Sequence, residues 1–259
     1  MFKRFYNFTK YIIAEVIKDD LFSAANDMTY KLFFSIFPFL IFLMSVVGFL
    51  NLDAEIISEQ ISSFLPYSLN EPVKQFITEI TATRNANILS FSLIISIYGA
   101  SAGFRTAMRE INKAYGQADT RKFYIKIPVS MVLVLIFAVI IIASFSLVIL
   151  GNDNIIKYSA GIIIMFFSVI LINKLALYKN IKNKKTGVKS LVPGTIFTVF
   201  LWFVISRLFN IYIENFSNYS ALYGSISVVI ILMLWLNIMC IVLLLGSEIN
   251  AAAAENIYK

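Results

Sequence analysis

The stretch GSISVVIILMLWLNIMCIVLLLG, residues 224–246, decides the fold class, because it is long, strongly apolar and free of charged side chains. A helix of about 20 such residues crosses the hydrocarbon core of a bilayer. Five further apolar runs precede it, and each of the six runs predicts a membrane-spanning helix. The predicted spans are residues 29–50, 88–104, 128–150, 155–177, 190–213 and 224–247.

The overall composition excludes an ordinary water-soluble domain. Of the 259 residues, 59% are hydrophobic and 14% are charged, and the mean hydropathy is +0.80. Soluble domains carry about 25% charged residues, and a chain of this length has too little interior to bury so many apolar side chains. The sequence therefore predicts an all-α fold, in which residues 1–259 form a single integral membrane bundle of six transmembrane helices.

The positions of Lys and Arg predict how the chain threads the membrane. When Lys157 and Lys174, near the ends of the fourth run, are counted with the adjoining segments and Lys31 and Arg207 are left out, alternate connecting segments hold 17 and 3 of these residues. Since basic segments stay in the cytoplasm, we expect both termini on the cytoplasmic side of the inner (cytoplasmic) membrane. The net charge of +7 requires no nucleic-acid partner, because basic loops are drawn to the anionic headgroups of membrane lipids. The basic run INKLALYKNIKNKK, residues 172–185, is either a headgroup-binding loop or an orientation signal alone.

Two regions outside the runs predict amphipathic helices that lie in the membrane interface. In residues 1–18 apolar side chains recur at helical spacing, and the lysines lie off that stripe. Residues 52–86 hold two further stripes, separated at Pro66 and Pro72, which predict two short helices on the outer face. After the second run, the helix is predicted to continue to about Gly116.

Glycine and proline positions predict where helices bend or approach one another. A proline inside a helix removes one backbone hydrogen bond, and a G-x-x-x-G pair lets two helix backbones approach closely. The pair in the second run favours either tight packing or a flexible segment that lines a cavity. The candidate kink and packing residues are Pro38, Gly99, Gly103, Pro193, Gly194 and Gly224.

Few polar groups are predicted to lie at membrane depth, and each has two interpretations. Lys31 and Glu248 share a depth, so they either form an ion pair or reach the inner interface separately. Arg207 either extends to the outer headgroups or faces a cavity with Glu214 as its partner. Asn237 is either a hydrogen-bonding clasp between helices or an amide that contacts a substrate.

Several chemistries have no residues to support them. The chain has no His, which is the commonest general base and the commonest metal ligand. Its one Cys, Cys240, excludes a thiolate metal site. It also has no phosphate-binding P-loop and no G-x-S-x-G elbow. We therefore expect no cofactor, no metal, no catalytic residue and no ATPase within this chain.

Three stretches carry motifs that can be compared with known families. The first, NDMTYKLFFSIFPFLIFL at residues 26–43, contains Tyr30, Ser35 and the Phe37–Pro38 step. The second and third extend from Gly99 to Phe123 and from Leu191 to Ala251. Their motif residues are Ser101, Gly103, Asn112, Tyr115, Arg121, Pro193, Gly194, Trp202, Tyr212, Tyr219, Tyr223, Gly224, Trp235, Gly246, Glu248 and Asn250.

These motifs resemble the YihY/BrkB family, also described as ribonuclease BN-like. Lys31 and Asn237 depart from the family pattern, and Arg207 is unusual in it. The resemblance implies a six-span protein of the bacterial cytoplasmic membrane, of a family described as transport or envelope proteins. It covers the chain from about Asp20 to Asn250.

A polar path through the bundle is the candidate functional site. The side chains assigned to it are Tyr30, Ser101, Asn112, Tyr219, Tyr223, Asn237, Glu248 and Asn250. The favoured function is a transporter or a handler of lipids or other envelope components; the alternative is a structural or accessory membrane protein. A membrane ribonuclease is disfavoured, because Mg²⁺ sites need converging carboxylates and the cytoplasmic acids, such as Asp27, Glu110 and Asp119, are scattered along the chain.

Overall fold

The computed structural model describes residues 2–49, 86–119, 121–150, 154–177, 187–215 and 226–254. Within these ranges the chain forms helices joined by short connections, so the all-α prediction is confirmed. The helices are α1 Phe2–Lys18, α2 Leu21–Phe49, α3 Ala86–Ala114, α4 Phe123–Leu150, α5 Asn154–Ala176, α6 Val188–Asn215 and α7 Ile226–Ala254. The predicted outer helices of residues 52–86 lie outside the described residues, apart from Ala86 at the start of α3.

Three of the long helices extend well beyond the apolar runs. α2 begins eight residues before its run, α3 continues ten residues past its run, and α7 continues seven past its own. α3 ends in a Schellman motif, in which Gly116 N–H donates to the Lys113 carbonyl (2.8 Å) and Gln117 N–H donates to the Asn112 carbonyl (3.0 Å). Gly116 has φ +67°, which favours glycine, and the helix ends where the sequence predicts.

The long helices contact one another in chain order. Each of α2 to α6 packs against the next helix, and α7 returns to pack against α2 as well as α6. α3 also contacts α5 and α7, and α1 lies against α2 and α7. This arrangement brings the start of α2, the end of α3 and the end of α7 together.

The bundle exposes many large apolar side chains and buries several polar ones beside its apolar core. Ser101, Thr195, Thr198 and Asn250 have no exposed surface at all, whereas large apolar side chains on the helices face outward. The strongly exposed ones include Phe34, Phe91, Ile94, Val139, Phe167, Phe200 and Phe203. Water would penalise such a surface, and a bilayer would favour it.

Helix length is compatible with membrane crossing. Helices α2 to α7 have 23 to 29 residues, and at about 1.5 Å per residue even the shortest exceeds a hydrocarbon core of about 30 Å. Among the described residues, Val188–Phe209 and Val229–Ala254 are both long and apolar enough to span a membrane by length and composition. The crossing number of six stays a prediction.

Candidate functional site

An open, charged cavity of about 300 Å³ lies between the start of α2 and the end of α3. Both segments extend past the apolar runs, so their turns carry charged side chains that face one another across the helix pair. The cavity is lined by Asp19, Asp20, Ser23, Ala24, Asp27, Arg109, Glu110 and Lys113.

The Asp27 carboxylate organises the cavity wall nearest the apolar runs. Lys31 Nζ donates to Asp27 Oδ2 (2.6 Å) and to Thr106 Oγ1 (2.8 Å), and the Thr106 hydroxyl donates to the same Asp27 oxygen (3.0 Å). Arg109 Nη2 lies 3.6 Å from that oxygen. Lys31 therefore pairs with Asp27 rather than with Glu248, and the ion pair considered from the sequence is wrong.

The pH dependence of stability follows from these contacts. Burial alone would raise the pKa of Asp27, but the hydrogen bonds from Lys31 and Thr106 and the nearby charges of Lys31 and Arg109 lower it below its ordinary 3.8. A carboxyl whose pKa is lowered by folding stabilises the fold above its unfolded pKa, and it loses that effect as the pH falls through its folded pKa.

We therefore expect the variant Asp27→Asn to unfold at a lower temperature than the unaltered protein at about pH 6. The gap should remain to about pH 5, narrow as the pH falls below about 4, and close only below the lowered pKa of folded Asp27, where both chains carry a neutral group. Thermal unfolding of the purified proteins in detergent, followed across this range, measures the gap. A gap that widens toward acid pH would contradict the assignment.

Asp19, at the junction of α1 and α2, forms the floor of the cavity. Its side chain is 9% exposed, and its Oδ2 is buried without a hydrogen-bond partner among the described residues. Lys113 Nζ donates to the Asp19 backbone carbonyl and lies 3.9 Å from both Asp19 Oδ1 and Glu110 Oε2. Burial raises the pKa of Asp19, against the opposing charge of Lys113. Below it, the buried Glu248 lines a much smaller cavity together with Asp19 and Glu110.

Asn112 and Arg121, two of the motif residues, bind the end of α5. Asn112 Nδ2 donates to the Ala176 carbonyl (2.8 Å), and Arg121 donates to the carbonyls of Ala176 and Leu175. Arg121 Nε also donates to Asp119 Oδ1 (2.9 Å), and both of these side chains are almost fully buried. The last carbonyls of a helix have no partner within the helix, so these two side chains act as its C-terminal cap.

The motif glycines of α6 and α7 lie at a backbone contact. A Cβ placed on Gly194 would lie 1.8 Å from the Gly246 carbonyl oxygen, and one on Gly246 would lie 1.9 Å from Thr198 Oγ1. Asn250 Oδ1 accepts a hydrogen bond from the Gly194 N–H (2.7 Å). Asn250 therefore joins the two helices here, rather than lining an open path.

Gly99 and Gly103 lie at the contact between α3 and α2. A Cβ on Gly99 would lie 3.1 Å from the Cβ of Ser35, and one on Gly103 would lie 2.7 Å from the Leu32 side chain. Pro38 lies within α2, which continues through it as helix. These short distances show that Gly99 and Gly103 allow tight packing of α3 on α2, and they do not favour a flexible segment that lines a cavity.

The remaining predicted path residues are dispersed. Ser101 is fully buried, and its hydroxyl donates to the Tyr98 carbonyl (2.7 Å) and accepts from Arg105 (2.6 Å). Tyr30 faces outward, with its ring 4.5 Å from that of Phe34. Tyr219, Tyr223 and Gly224 lie outside the described residues, so their place in a path stays a prediction.

For both Asn237 and Arg207, a contact in the structure bears on the two interpretations that the sequence left open. Asn237 Nδ2 donates to Asn26 Oδ1 (2.7 Å) and Thr29 Oγ1 (3.3 Å), so it joins α7 to α2 as a clasp. Arg207 is exposed, and its guanidinium lies 5.6 Å from the Phe203 ring centroid on the outward side of α6. The side chain of Glu214 lies outside the described part of the chain, so its pairing with Arg207 stays a prediction.

Sequence reasoning missed the charged cavity. The predicted path does not include Asp19, Asp27, Arg109 or Lys113, because the two acids lie far from the two cations in the sequence. The i, i+4 spacing of Asp27 and Lys31 was an available signal, but it does not indicate that α3 lies opposite. Among the described residues, no group of three or more Asp, Glu or Cys side chains converges as a metal site.

Comparison with known proteins identifies the family. The family model described as Virulence factor BrkB matches residues 12–259. The ribonuclease-like protein YfkH of Bacillus subtilis (strain 168) is 31% identical over 243 residues, 88% of each chain. A UPF0761 membrane protein of Aggregatibacter aphrophilus (strain NJ8700) is 22% identical over 92% of this chain and 88% of its own length. No solved structure matches. This chain belongs to the Virulence factor BrkB family of membrane proteins.

Proposed function

We propose that this protein crosses the cytoplasmic membrane six times, with both termini in the cytoplasm. In this proposal it binds a lipid or another amphipathic envelope component and moves it between leaflets, without an ATPase of its own. One observation carries the proposal: beyond the charged cavity between α2 and α3, α2 exposes the large side chains of Tyr30 and Phe34. A molecule with a polar head and an apolar tail matches that pair of surfaces.

The depth of the cavity supports the proposal. Asp27 lies five residues before Leu32, where the apolar run of α2 becomes continuous, which is about 7.5 Å along a helix. The headgroup region on each side of a bilayer has a similar thickness, since the whole bilayer of about 40–45 Å contains a core of about 30 Å. With the proposed topology, the cavity opens among the inner headgroups.

A structural or accessory role in the envelope is the second candidate, and a different observation favours it. α6 touches α7 through backbone at Gly194 and Gly246, and α2 packs tightly on α3 at Gly103. These contacts leave little room for a passage within the described part of the bundle. A scaffold would keep the charged cavity as a docking surface and move nothing.

Ribonuclease activity, which the name of the Bacillus subtilis relative carries, receives less support. Asp27, Glu110 and Asp119 form salt bridges with Lys or Arg. Among the described residues, no group of carboxylates converges on a metal position. Incubation of the purified protein with Mg²⁺ and structured RNA tests this. Cleavage that is lost on changing Glu110 to Gln would replace the transport proposal.

A leaflet-movement assay tests the proposed function. The purified protein is reconstituted into vesicles that contain a trace of fluorescent phospholipid, and a membrane-impermeant quencher is added. We expect quenching to exceed the fraction lost in empty vesicles, and the variant Arg109→Gln to reduce the excess several-fold. Lys122→Gln, which removes an exposed cation outside the cavity, is the matched control and should leave it unchanged.

Two outcomes of this assay count against the proposal. Quenching equal to that of empty vesicles, with correctly folded protein in the membrane, would favour the accessory role. An equal loss in the variants Arg109→Gln and Lys122→Gln would show that the cavity is not used. For the topology, reporters that are active only in the cytosol, fused to each terminus, should both be active.

A further inference from the structure

We infer that the cavity between α2 and α3 binds a phosphoethanolamine lipid headgroup, with its primary ammonium on the Asp19 carboxylate. This inference rests on the proposed function and specifies its substrate class. It follows from the charge of the cavity, an unpartnered oxygen in its floor and the exposure of its cations.

The charge balance of the lining favours a positively charged group. The lining contains four carboxylates, Asp19, Asp20, Asp27 and Glu110, and two cations, Arg109 and Lys113. Adding Lys31, which is bound to Asp27, still leaves an excess of negative charge. A ligand whose cation lies next to these carboxylates compensates the excess locally, even when the ligand carries an anionic group at its other end.

Asp19 provides the position for that cation. Its Oδ2 is buried and has no hydrogen-bond partner in the described part of the chain, although the side chain lines the cavity. Its other oxygen lies 3.9 Å from Lys113 Nζ, which is too long for a hydrogen bond. An uncompensated buried carboxylate oxygen is costly, and a primary ammonium with three N–H donors would satisfy it.

The cations at the cavity mouth provide a position for the phosphate. The Arg109 side chain is 56% exposed, although its Nε donates to Glu110 Oε1 (2.6 Å), and Lys113 is 44% exposed. Guanidinium groups bind phosphate oxygens well because of their planar fork of donors. A zwitterionic headgroup could therefore place its ammonium on the floor and its phosphate at the rim.

Exposed aromatic side chains follow Asp27 along α2 toward the apolar run, on the side where the acyl chains of such a lipid would lie. Tyr30 is 58% exposed, and Phe34, one turn further on, is 52% exposed. The cavity volume of about 300 Å³ lies at the lower end of the range for ligand pockets. A headgroup fits this size, while the tails remain outside in the membrane.

Native mass spectrometry of the full-length protein in detergent tests the inference. The protein is titrated with phosphatidylethanolamine, phosphatidylcholine or phosphatidylglycerol of identical acyl chains. Phosphatidylcholine carries its charge without N–H donors, and phosphatidylglycerol lacks the cation. We expect phosphatidylethanolamine to bind about tenfold more tightly than either, which is the effect of a charge-assisted hydrogen bond.

Two variants test whether the preference for phosphatidylethanolamine depends on the Asp19 carboxylate. Asp19→Asn keeps the shape of the side chain and removes its charge, and it should abolish the preference for phosphatidylethanolamine while leaving phosphatidylglycerol binding unchanged. Glu15→Gln makes the same chemical change on α1, where Glu15 pairs with Lys18 and does not line the cavity, so its preference should equal that of the unaltered chain. Soluble glycerophosphoethanolamine should compete only weakly, because it lacks the tails.

The inference is overturned if the unaltered chain binds the three lipids equally, a comparison that does not depend on the folding of any variant. Retention of the preference in the variant Asp19→Asn would also overturn it. Competition by the soluble headgroup as strong as that of the lipid would assign the site to a soluble compound. If the preference is missing while leaflet movement persists, the headgroup assignment fails and the proposed function stands.

Discussion

The variant Gly194→Ala is expected to lose most of its folded protein, although it adds a single methyl group. The added Cβ would lie 1.8 Å from the Gly246 carbonyl oxygen and 2.6 Å from Asn250 Oδ1. Since one of these atoms is backbone, no side-chain rotation relieves the contact, and α6 must move away from α7. Overpacking costs about 1–3 kcal/mol where side chains can adjust, and we expect at least the upper end here.

Thermal unfolding of the detergent-solubilised variant, followed by size-exclusion chromatography, measures this loss. Gly161→Ala in α5 is the matched control, because a Cβ there meets no atom within 4 Å. Alanine is favoured over glycine within a helix by about 1 kcal/mol, so the control should be as stable as the unaltered chain or more so. Equal unfolding temperatures for the variants Gly194→Ala and Gly161→Ala would contradict the described contact.

A rescue experiment separates side-chain from backbone contacts. A Cβ on Gly246 would meet Thr198 Oγ1 at 1.9 Å and the Gly194 carbonyl oxygen at 2.8 Å. We therefore expect Thr198→Ala to recover part of the stability that Gly246→Ala loses. The same second change should not rescue Gly194→Ala, whose nearest contact is the carbonyl of Gly246.

The sequence predicted helices α2 to α7 well, because each of them contains a long apolar run. Gly116 indicates the end of α3, because its positive φ favours glycine. The sequence also predicts that α3 continues past its apolar run to about Gly116. It does not indicate which helices the polar turns of α2 and α3 contact, because these turns lack the hydrophobic signal and the contacts that stabilise them come from other helices.

The charged cavity could not be predicted, because its walls are far apart in the chain. Asp27 and Arg109 are separated by more than eighty residues, and only the packing of α2 on α3 brings them to 3.6 Å. The same limit explains why Asn112 was assigned to a polar path. Its partner is the carbonyl of Ala176, and a backbone acceptor leaves no trace in the identity of the residue that carries it.

The second large effect is expected for Arg121→Ala, which removes the cap from α5. Arg121 is almost fully buried, donates to the carbonyls of Leu175 and Ala176, and pairs with the equally buried Asp119. Removing one partner of a buried ion pair typically costs about 3–5 kcal/mol. Lys126, 3.6 Å from Asp119, still compensates part of that charge, so we expect a loss of about 3 kcal/mol.

The neighbouring Lys122 offers a control for this change, because it is exposed and contacts the ring of Tyr124. Lys122→Ala should alter stability by less than about 0.5 kcal/mol. Arg121→Lys retains the charge but not the fork that reaches two carbonyls, so it should lie between the unaltered chain and Arg121→Ala. That order, measured by thermal unfolding, distinguishes lost geometry from lost charge.

Proteolysis reports whether the damage lies at the end of α5. Lys174 is exposed in the last turn of that helix, and an uncapped turn frays and becomes accessible to trypsin. We expect cleavage after Lys174 to accelerate in the variants Arg121→Ala and Asn112→Ala, and less than additively in the double variant, since both side chains donate to the carbonyl of Ala176. Unchanged cleavage with a lowered unfolding temperature would assign the effect to the Asp119 pair instead.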